Sequence, residues 1–305
     1  MNGLAINWRL TDYWARMANP PFIAISSGQP HGLLGLGSDA CVGEYATMST
    51  RYVVASQVWN ALTVGGSNEC GTATTTDDWV WNHSWDLNPP NGRELPHLVA
   101  PAKWVQQLDC DPTSGTSNSA DIVSSVAAVI TQAFPGIATW PEAMRSVLMV
   151  SAKENMHTHT TLPAPPDQQL ILTDGVDDRD GAGEVNALVA LVPAANKLDG
   201  GNSPSLAGWD AGTIAQATTP VGSYYSEIYS ASHFANGGRL RVVLSWGATA
   251  SCTNQSNPSS CSSTVNDADL DLVVIYHAGG TPVFSSSRID NYEIVEVPTT
   301  SGHTY

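Results

Sequence analysis

Short apolar segments alternate with helical patterns through the first 195 residues, and this alternation restricts the possible folds more than any other feature. Three segments are almost wholly apolar, as strands buried on both faces of a parallel sheet are, and they lie at 22–25, 60–66 and 95–102. Helices are predicted at 11–19, where Thr11 or Asp12 is the expected cap, at 140–152, at 180–191 and directly after Ser114. Alternating strands and helices predict an α/β domain with a parallel sheet and flanking helices.

The pattern changes between residues 193 and 212, where Pro, Gly, Asn and Ser dominate. Beyond this stretch the apolar residues recur with a period of two, which predicts strands at 240–246, 269–276 and 292–297. Strands separated by turn residues at regular intervals are typical of a β-sandwich of the jelly-roll kind. The chain is therefore divided into a first domain at 1–195 and a β-sandwich domain at 205–305, the second of which is expected to be truncated.

The charge of the chain excludes some partners. The net charge is −16 with only 12 Lys and Arg residues, so nucleic acid and anionic membrane surfaces are not expected partners. No uninterrupted apolar run is long enough to span a bilayer. Neither observation selects a substrate, and the sequence leaves the oligomeric state open.

The five cysteines suggest an oxidising compartment. Cys252 and Cys261 bracket a polar loop, and a disulfide between them is predicted. No C-x-x-C spacing typical of a metal or redox site occurs. Of the remaining three, Cys41, Cys70 and Cys110, one is free or pairs outside the chain. Together with few lysines and many Ser, Thr, Asn and Gly residues, the disulfide predicts a secreted, extracellular protein.

The stretch from Ser114 to Ser117 leads directly from a small, flexible turn into an Ala- and Val-rich helix. A hydroxyl group at a helix N-terminus lies beside unpaired backbone N–H groups, where the helix dipole favours negative charge. Acyl transfer by a serine nucleophile needs this arrangement. An ordinary Ser or Thr N-cap has the same local sequence, and these residues alone leave both interpretations open.

Five motifs in order resemble the subtilisin-like serine peptidases, the subtilases. They are the N-x-L-T-V-G-A-like segment 60–66, the P-x-L/V-V-A-P-like segment 95–101, the G-T-S nucleophile motif at 114–117, the P-E-x-V-R-like helix starting at Pro141 with Ser151 and Ala152, and the G-x-G-x-V-N-A-like segment 180–187. The resemblance implies a partial subtilisin-like domain that hydrolyses polypeptide substrates through an acyl-enzyme. The β-sandwich resembles modules that often follow such domains.

Carried over residue by residue, the resemblance implies that Ser117 is the nucleophile. Gln29 stands where the family has an asparagine that donates to the oxyanion, and its longer arm carries the same amide donor. The alternative for Gln29 is a glutamine of a surface loop. Ser26, Ser27 and Gly28 are the expected lining of the substrate pocket.

Several residues after the nucleophile depart from the family pattern. Asn118 replaces an apolar residue, Asp121 replaces a proline, and Ser124 and Ser125 replace Ala-Gly. An aspartate near the nucleophile adds negative charge where negative charge must develop, which puts full activity in doubt.

The general base is the largest departure. The family carries its catalytic Asp and His upstream of the serine, in a D-[ST]-G turn and an H-G-T-H helix, and neither motif occurs. His31, His83 and His97 precede Ser117 without that context and are interpreted as loop or strand histidines. The chain is therefore expected to be a fragment of a secreted serine endopeptidase, inactive alone. The first alternative is an inactive subtilase-like binding or structural module. A lipase-type hydrolase ranks lower, because no G-x-S-x-G elbow surrounds Ser117.

Two acidic segments raise the question of calcium. The first comprises Asp174, Asp177, Asp178, Asp180 and Glu184, and the second comprises Asp267, Asp269 and Asp271. The first does not fit an EF-hand, because alignment on Gly181 leaves no acidic residue at positions one and twelve. Solvated polar residues are the preferred interpretation of both segments, and irregular Ca²⁺ sites are the alternative. No other cofactor is expected.

Overall fold

The computed structural model describes residues 7–17, 20–28, 58–69, 78–81, 84, 93, 95–103, 105–106, 112–154, 180–198, 207–213, 237–254, 257, 260–262, 268–276, 279–287 and 290–305. No described helix has both the length and the apolar character needed to cross a membrane.

A mostly parallel sheet forms the centre of the first half, and its parallel pairing agrees with the prediction. Its strands are β1 (Ala24–Ser26), β2 (Leu62–Asn68), β3 (Trp79–Val80) and β4 (Leu98–Pro101). Both β1 and β4 run parallel to β2, with Ile25 opposite Thr63 and Val99 opposite Gly65, and β3 pairs antiparallel with the end of β2. All seven residues of β2 are buried, as expected for a central strand covered on both faces.

The helices lie at α1 (Asn7–Trp14), α2 (Thr116–Ala133), α3 (Pro141–Val150) and α4 (Ala187–Ala195). Two short strands, β5 (Val105–Gln106) and β6 (Pro112–Thr113), form a hairpin before α2, and a 3₁₀ helix at Pro135–Thr139 joins α2 to α3. The helices after Ser114 and at 140–152 are confirmed. Pro141 opens α3, where a missing N–H costs no hydrogen bond.

The first helix begins and ends earlier than predicted. Asp12 lies inside α1 and is fully buried, so it is not the N-cap. Its Oδ1 accepts hydrogen bonds from the N–H groups of Trp59, at 2.8 Å, and Asn60, at 2.7 Å. The local signal for a cap was therefore wrong, because this carboxylate binds the backbone of a segment that is distant in sequence.

The predicted helix at 180–191 begins only at Ala187. The Asn186 side chain caps it by accepting a hydrogen bond from the Val189 N–H at 3.1 Å. Gly183 precedes it with a φ of 104°, and a Cβ there would lie 2.5 Å from the carbonyl oxygen of Lys153. Residues 182–185 instead extend beside β4, where the Val99 N–H donates to the Gly183 oxygen at 3.0 Å.

The C-terminal strands form two antiparallel pairs. The first is β7 (Arg239–Ser245) with β10 (Tyr292–Pro298), and the second is β8 (Leu272–Val274) with β9 (Val283–Ser285). The strands predicted at 240–246 and 292–297 are confirmed, whereas the one at 269–276 is reduced to three residues. The jelly-roll sandwich stays a prediction.

The main hydrophobic cluster joins the two halves of the chain. Tyr292 and Ile294 of β10 belong to the same buried cluster as Val123 of α2 and Leu148 of α3. Ser245 of β7 also donates its hydroxyl to the carbonyl oxygen of Glu142 in α3, at 2.7 Å. The division at 195 and 205 stays a prediction, and the β7–β10 pair packs directly on α3.

The predicted disulfide between Cys252 and Cys261 is present. The other three cysteines, Cys41, Cys70 and Cys110, lie outside the described residues.

Candidate active site

The N-terminus of α2 presents Ser117 to solvent. Gly115 is the N-cap residue, and because glycine has no side chain the helix has no side-chain cap. The Gly115 N–H donates to the Ala102 oxygen at 2.8 Å, which ties the turn to the end of β4. Ser117 is the second residue of the helix and is exposed. The N-cap interpretation of this serine is therefore wrong, and its hydroxyl lies at the positive end of an 18-residue helix.

The end of β1 lies against the same helix terminus. The Gly28 N–H donates to the Thr116 Oγ1 at 3.2 Å, so the segment predicted to line the pocket is next to the predicted nucleophile. Ser26 and Gly28 are half-buried, and Gly28 has a φ of 99°. The positive φ explains the glycine at this turn, since other residues rarely adopt that conformation.

Ser27 is the predicted pocket residue with the most enclosed position. It is fully buried, and its Oγ lies 3.3 Å from the Ser84 Oγ. Ser84 in turn accepts a hydrogen bond from the Gly66 N–H at 2.9 Å. The Ser27 hydroxyl is thus bonded inside the protein, and the pocket assignment of the three residues stays a prediction. Gln29 lies outside the described residues, as do His31 and His83.

His97, which directly precedes β4, is a structural histidine, in agreement with its interpretation as a loop or strand histidine. It is fully buried, and its Nδ1 accepts a hydrogen bond from the Thr63 N–H at 2.8 Å. Its ring lies 5.0 Å from the ring of Tyr292. Burial, together with the charges of Arg145 and Arg93, holds the pKa of His97 well below its ordinary value.

Arg145, the arginine of the P-E-x-V-R-like motif, is buried and joins α3 to distant segments, a role that the motif did not predict. Arg145 donates to the Trp59 oxygen at 3.0 Å, and to the oxygens of Trp246 and Asn291, both at 2.9 Å. Burial is the main cause that lowers its pKa to about 10. The signal in the sequence was a charged residue on the apolar face of α3, between Met144 and Leu148.

Glu184 and Asp180 belong to the first acidic segment, and their interpretation as solvated residues is wrong, because both are buried. Glu184 lies beside β2. The Ser67 hydroxyl donates to its Oε1 at 2.6 Å. Burial raises the pKa of Glu184 to about 7, the Ser67 hydrogen bond lowers it, and the charges of Glu69 and Asp78 raise it further. Glu184 occupies the second x position of the G-x-G-x-V-N-A-like motif. Because this segment extends beside β4, the carboxyl group of Glu184 reaches Ser67 of β2.

Among the described residues, neither acidic segment forms a metal site. Asp174, Asp177, Asp178 and Asp267 lie outside the described residues. Within the described parts of the chain, no three His, Cys, Asp or Glu side chains are grouped as a metal site requires.

Comparison with known proteins matches this site to one family. The model of the subtilase family matches residues 40–183, a range that includes the turn at Gly115 and all of α2 and α3. The segment from Ser26 to Gln29 precedes the matched range. No curated protein matches the sequence.

Several solved structures are similar to the chain at low identity. The patellamide maturation protease PatA is 21% identical, with a TM-score of 0.31, over 44% of this chain and 43% of that chain. The prenylagaramide maturation protease PagA is 20% identical, with a TM-score of 0.34, over 56% of this chain and 50% of that chain. The CspB protease of Clostridium perfringens is 22% identical, with a TM-score of 0.31, over 45% of this chain and 27% of that chain. This chain thus spans half or less of the length of each. The resemblance to subtilases predicted from the five motifs is confirmed by the family match at residues 40–183.

Proposed function

We propose that the chain is the serine-bearing part of a secreted subtilisin-like endopeptidase that cleaves polypeptides. The observation that carries the proposal is the exposed Ser117 at the N-terminus of α2, within the part of the chain that matches the subtilase family. The disulfide between Cys252 and Cys261 supports an oxidising compartment. The acidic charge gives no support to nucleic-acid or membrane partners.

In the proposed reaction the Ser117 Oγ attacks the carbonyl carbon of the scissile peptide bond while its proton passes to a general base. The negative charge on the carbonyl oxygen is held by the Ser117 N–H and by the Gln29 amide, beside the positive end of the helix. The base then protonates the leaving amine, and water hydrolyses the acyl ester. Side chains and backbone suffice for these steps; calcium, if bound, would act on stability.

The general base and the aspartate that orients it are proposed to come from outside the described residues. His97 is bonded to the Thr63 N–H and buried, which makes it unsuited to exchange protons with Ser117. Because neither the D-[ST]-G turn nor the H-G-T-H helix of the family occurs in residues 1–305, these residues alone are expected to hydrolyse casein no faster than their Ser117→Ala variant. The lack of both motifs in residues 1–305 equally supports the alternative function, a binding or structural module that has kept the fold without the triad.

The test uses the complete protein as encoded, including any reading frame upstream of Met1, and measures casein hydrolysis. Ser117→Ala is expected to reduce the rate to background. The matched control is Ser125→Ala, an exposed serine of the same helix whose Oγ donates to the Asp121 oxygen at 2.8 Å. The control is expected to retain the wild-type rate. Equal rates for wild type and Ser117→Ala would contradict the proposal and favour the binding module.

A further inference from the structure

The residues on either side of Ser117 are buried polar side chains, although the serine itself is exposed. Thr116 is 1% exposed, Asn118 is 8% exposed and Ser119 is 0% exposed. Asn118 stands where subtilases usually have an apolar residue, so its burial needs hydrogen bonds to offset the loss of water.

Ser119 connects the first turn of α2 to the sheet. Its Oγ lies 2.9 Å from the Ala100 oxygen and 3.1 Å from the Pro101 oxygen, and its single proton is shared between these two acceptors. Both acceptors belong to the end of β4, which is paired with β2. These hydrogen bonds fix the helix terminus relative to the central strands of the sheet.

Asn118 connects the same turn to β6. Its Nδ2 donates to the Thr113 oxygen at 3.3 Å and to the Thr113 Oγ1 at 3.1 Å, and the Thr113 hydroxyl lies 3.4 Å from the Asn118 Oδ1. The hydrogen bonds between Asn118 and Thr113 bridge the turn at Ser114 and Gly115. The backbone of Ser117 is therefore held from two sides, because Asn118 is hydrogen-bonded to β6 and Ser119 is hydrogen-bonded to β4.

We propose that Asn118 and Ser119 are positioning residues that fix the Ser117 hydroxyl at the N-terminus of α2. The inference rests on the proposed function, because positioning matters only if Ser117 reacts. A displacement of about 1 Å in a catalytic group can reduce a rate about a hundredfold. Since Ser117 itself is exposed, the hydrogen bonds of its neighbours fix the backbone from which its side chain projects.

The first readout is the split between kcat and KM in the complete protein. Ser119→Ala removes the anchor to β4, and Thr113→Val removes the hydroxyl contacts of the Asn118 anchor while the Thr113 backbone oxygen still accepts from Asn118. Both substitutions change the side-chain shape very little. Each is expected to lower kcat about tenfold to a hundredfold with KM unchanged. Ser125→Ala is the matched control on the same helix and is expected to change neither value. Thermal unfolding measured in parallel shows that each variant is folded, and Thr113→Val, which lies outside the helix, serves if Ser119→Ala does not fold.

The second readout does not depend on proteolysis. In a Ser117→Cys variant of residues 1–305, the rate of alkylation by iodoacetamide is measured against pH, and peptide mass spectrometry separates the introduced thiol from Cys41, Cys70 and Cys110. The helix terminus is expected to hold the pKa of this introduced thiol below the ordinary value of about 8.5. Adding Ser119→Ala or Thr113→Val is expected to raise that pKa by about half a unit to one unit, because the thiol leaves its aligned position.

The outcomes separate this inference from the proposed function. If both anchor variants leave kcat and the thiol pKa unchanged while Ser117→Ala abolishes hydrolysis, the positioning role is overturned and the proposed function stands. If the anchor variants raise the thiol pKa but Ser117→Ala does not affect hydrolysis, the anchoring is supported and the proposed function fails.

Discussion

Replacing Glu184 with glutamine should remove a large pH dependence of stability. Glu184 is 8% exposed, and its main protein partner is the Ser67 hydroxyl at 2.6 Å. Burial raises its pKa from 4.5 to about 7. The folded protein therefore keeps a proton on this group over a pH range in which the unfolded chain has lost it.

The sign of the effect follows from proton linkage. Between pH 4.5 and about 7 the folded state binds more protons at Glu184 than the unfolded state does, so the free energy of unfolding falls as pH rises. A shift of about 2.5 pKa units corresponds to about 3 kcal/mol. This contribution is fully present below pH 4.5 and lost as pH rises through about 7. Glutamine does not titrate, so the variant lacks the decline.

The assay is urea unfolding followed by tryptophan fluorescence for wild type and Glu184→Gln at several pH values from 4 to 8. At pH 4 the two proteins should differ little, which serves as the internal control. By pH 8 the variant should have gained about 3 kcal/mol relative to wild type. Titration of groups that do not interact with Glu184 cancels in the difference between the two proteins. Unfolding free energies that run parallel across the whole range would refute the reasoning.

Three other predictions concern buried or crosslinked side chains. Arg145→Met should lower the free energy of unfolding by about 1–3 kcal/mol, because three charge-assisted hydrogen bonds, to the oxygens of Trp59, Trp246 and Asn291, are lost; unchanged urea midpoints would contradict this. The depressed pKa of His97 means that only the unfolded chain takes up its proton below pH 6.5, so stability should fall with decreasing pH by about 1.4 kcal/mol per unit from this residue. His97→Gln should lack that decline, and identical pH profiles by urea unfolding would exclude it. Cys252→Ser with Cys261→Ser should lower stability by about 2–3 kcal/mol, since the disulfide closes a loop with a separation of 9 residues; equal thermal midpoints would be inconsistent with this effect.

The central sheet and the helix that carries Ser117 were predictable from sequence because their signals are local. Strand β2 is apolar on both faces, and α2 has apolar residues at helical spacing directly after a glycine turn. The position of Ser117 within the first turn of α2 follows from the same signals. Its exposure and the burial of Asn118 and Ser119 depend on the surrounding strands, so the sequence pattern alone does not predict them.

The errors arose where contacts between distant segments override local preference. Asp12 has the residue type of an N-cap, yet it lies inside α1 and binds the backbone at Trp59 and Asn60. The segment before Ala187 has a helix-like pattern, but Gly183 adopts a positive φ and the chain extends beside β4. Arg145 donates to carbonyl oxygens of residues far along the chain, and no local sequence pattern predicts these contacts.

The most direct test of the central claim is covalent labelling of the complete protein with diisopropyl fluorophosphate, followed by mass spectrometry of the peptides. An activated serine displaces fluoride from phosphorus and keeps the phosphoryl group on its oxygen, whereas ordinary serines do not react. The account predicts a single adduct on Ser117, absent from Ser117→Ala and retained in Ser125→Ala. An unlabelled Ser117, or an adduct on another residue, would contradict the assignment of Ser117 as the nucleophile.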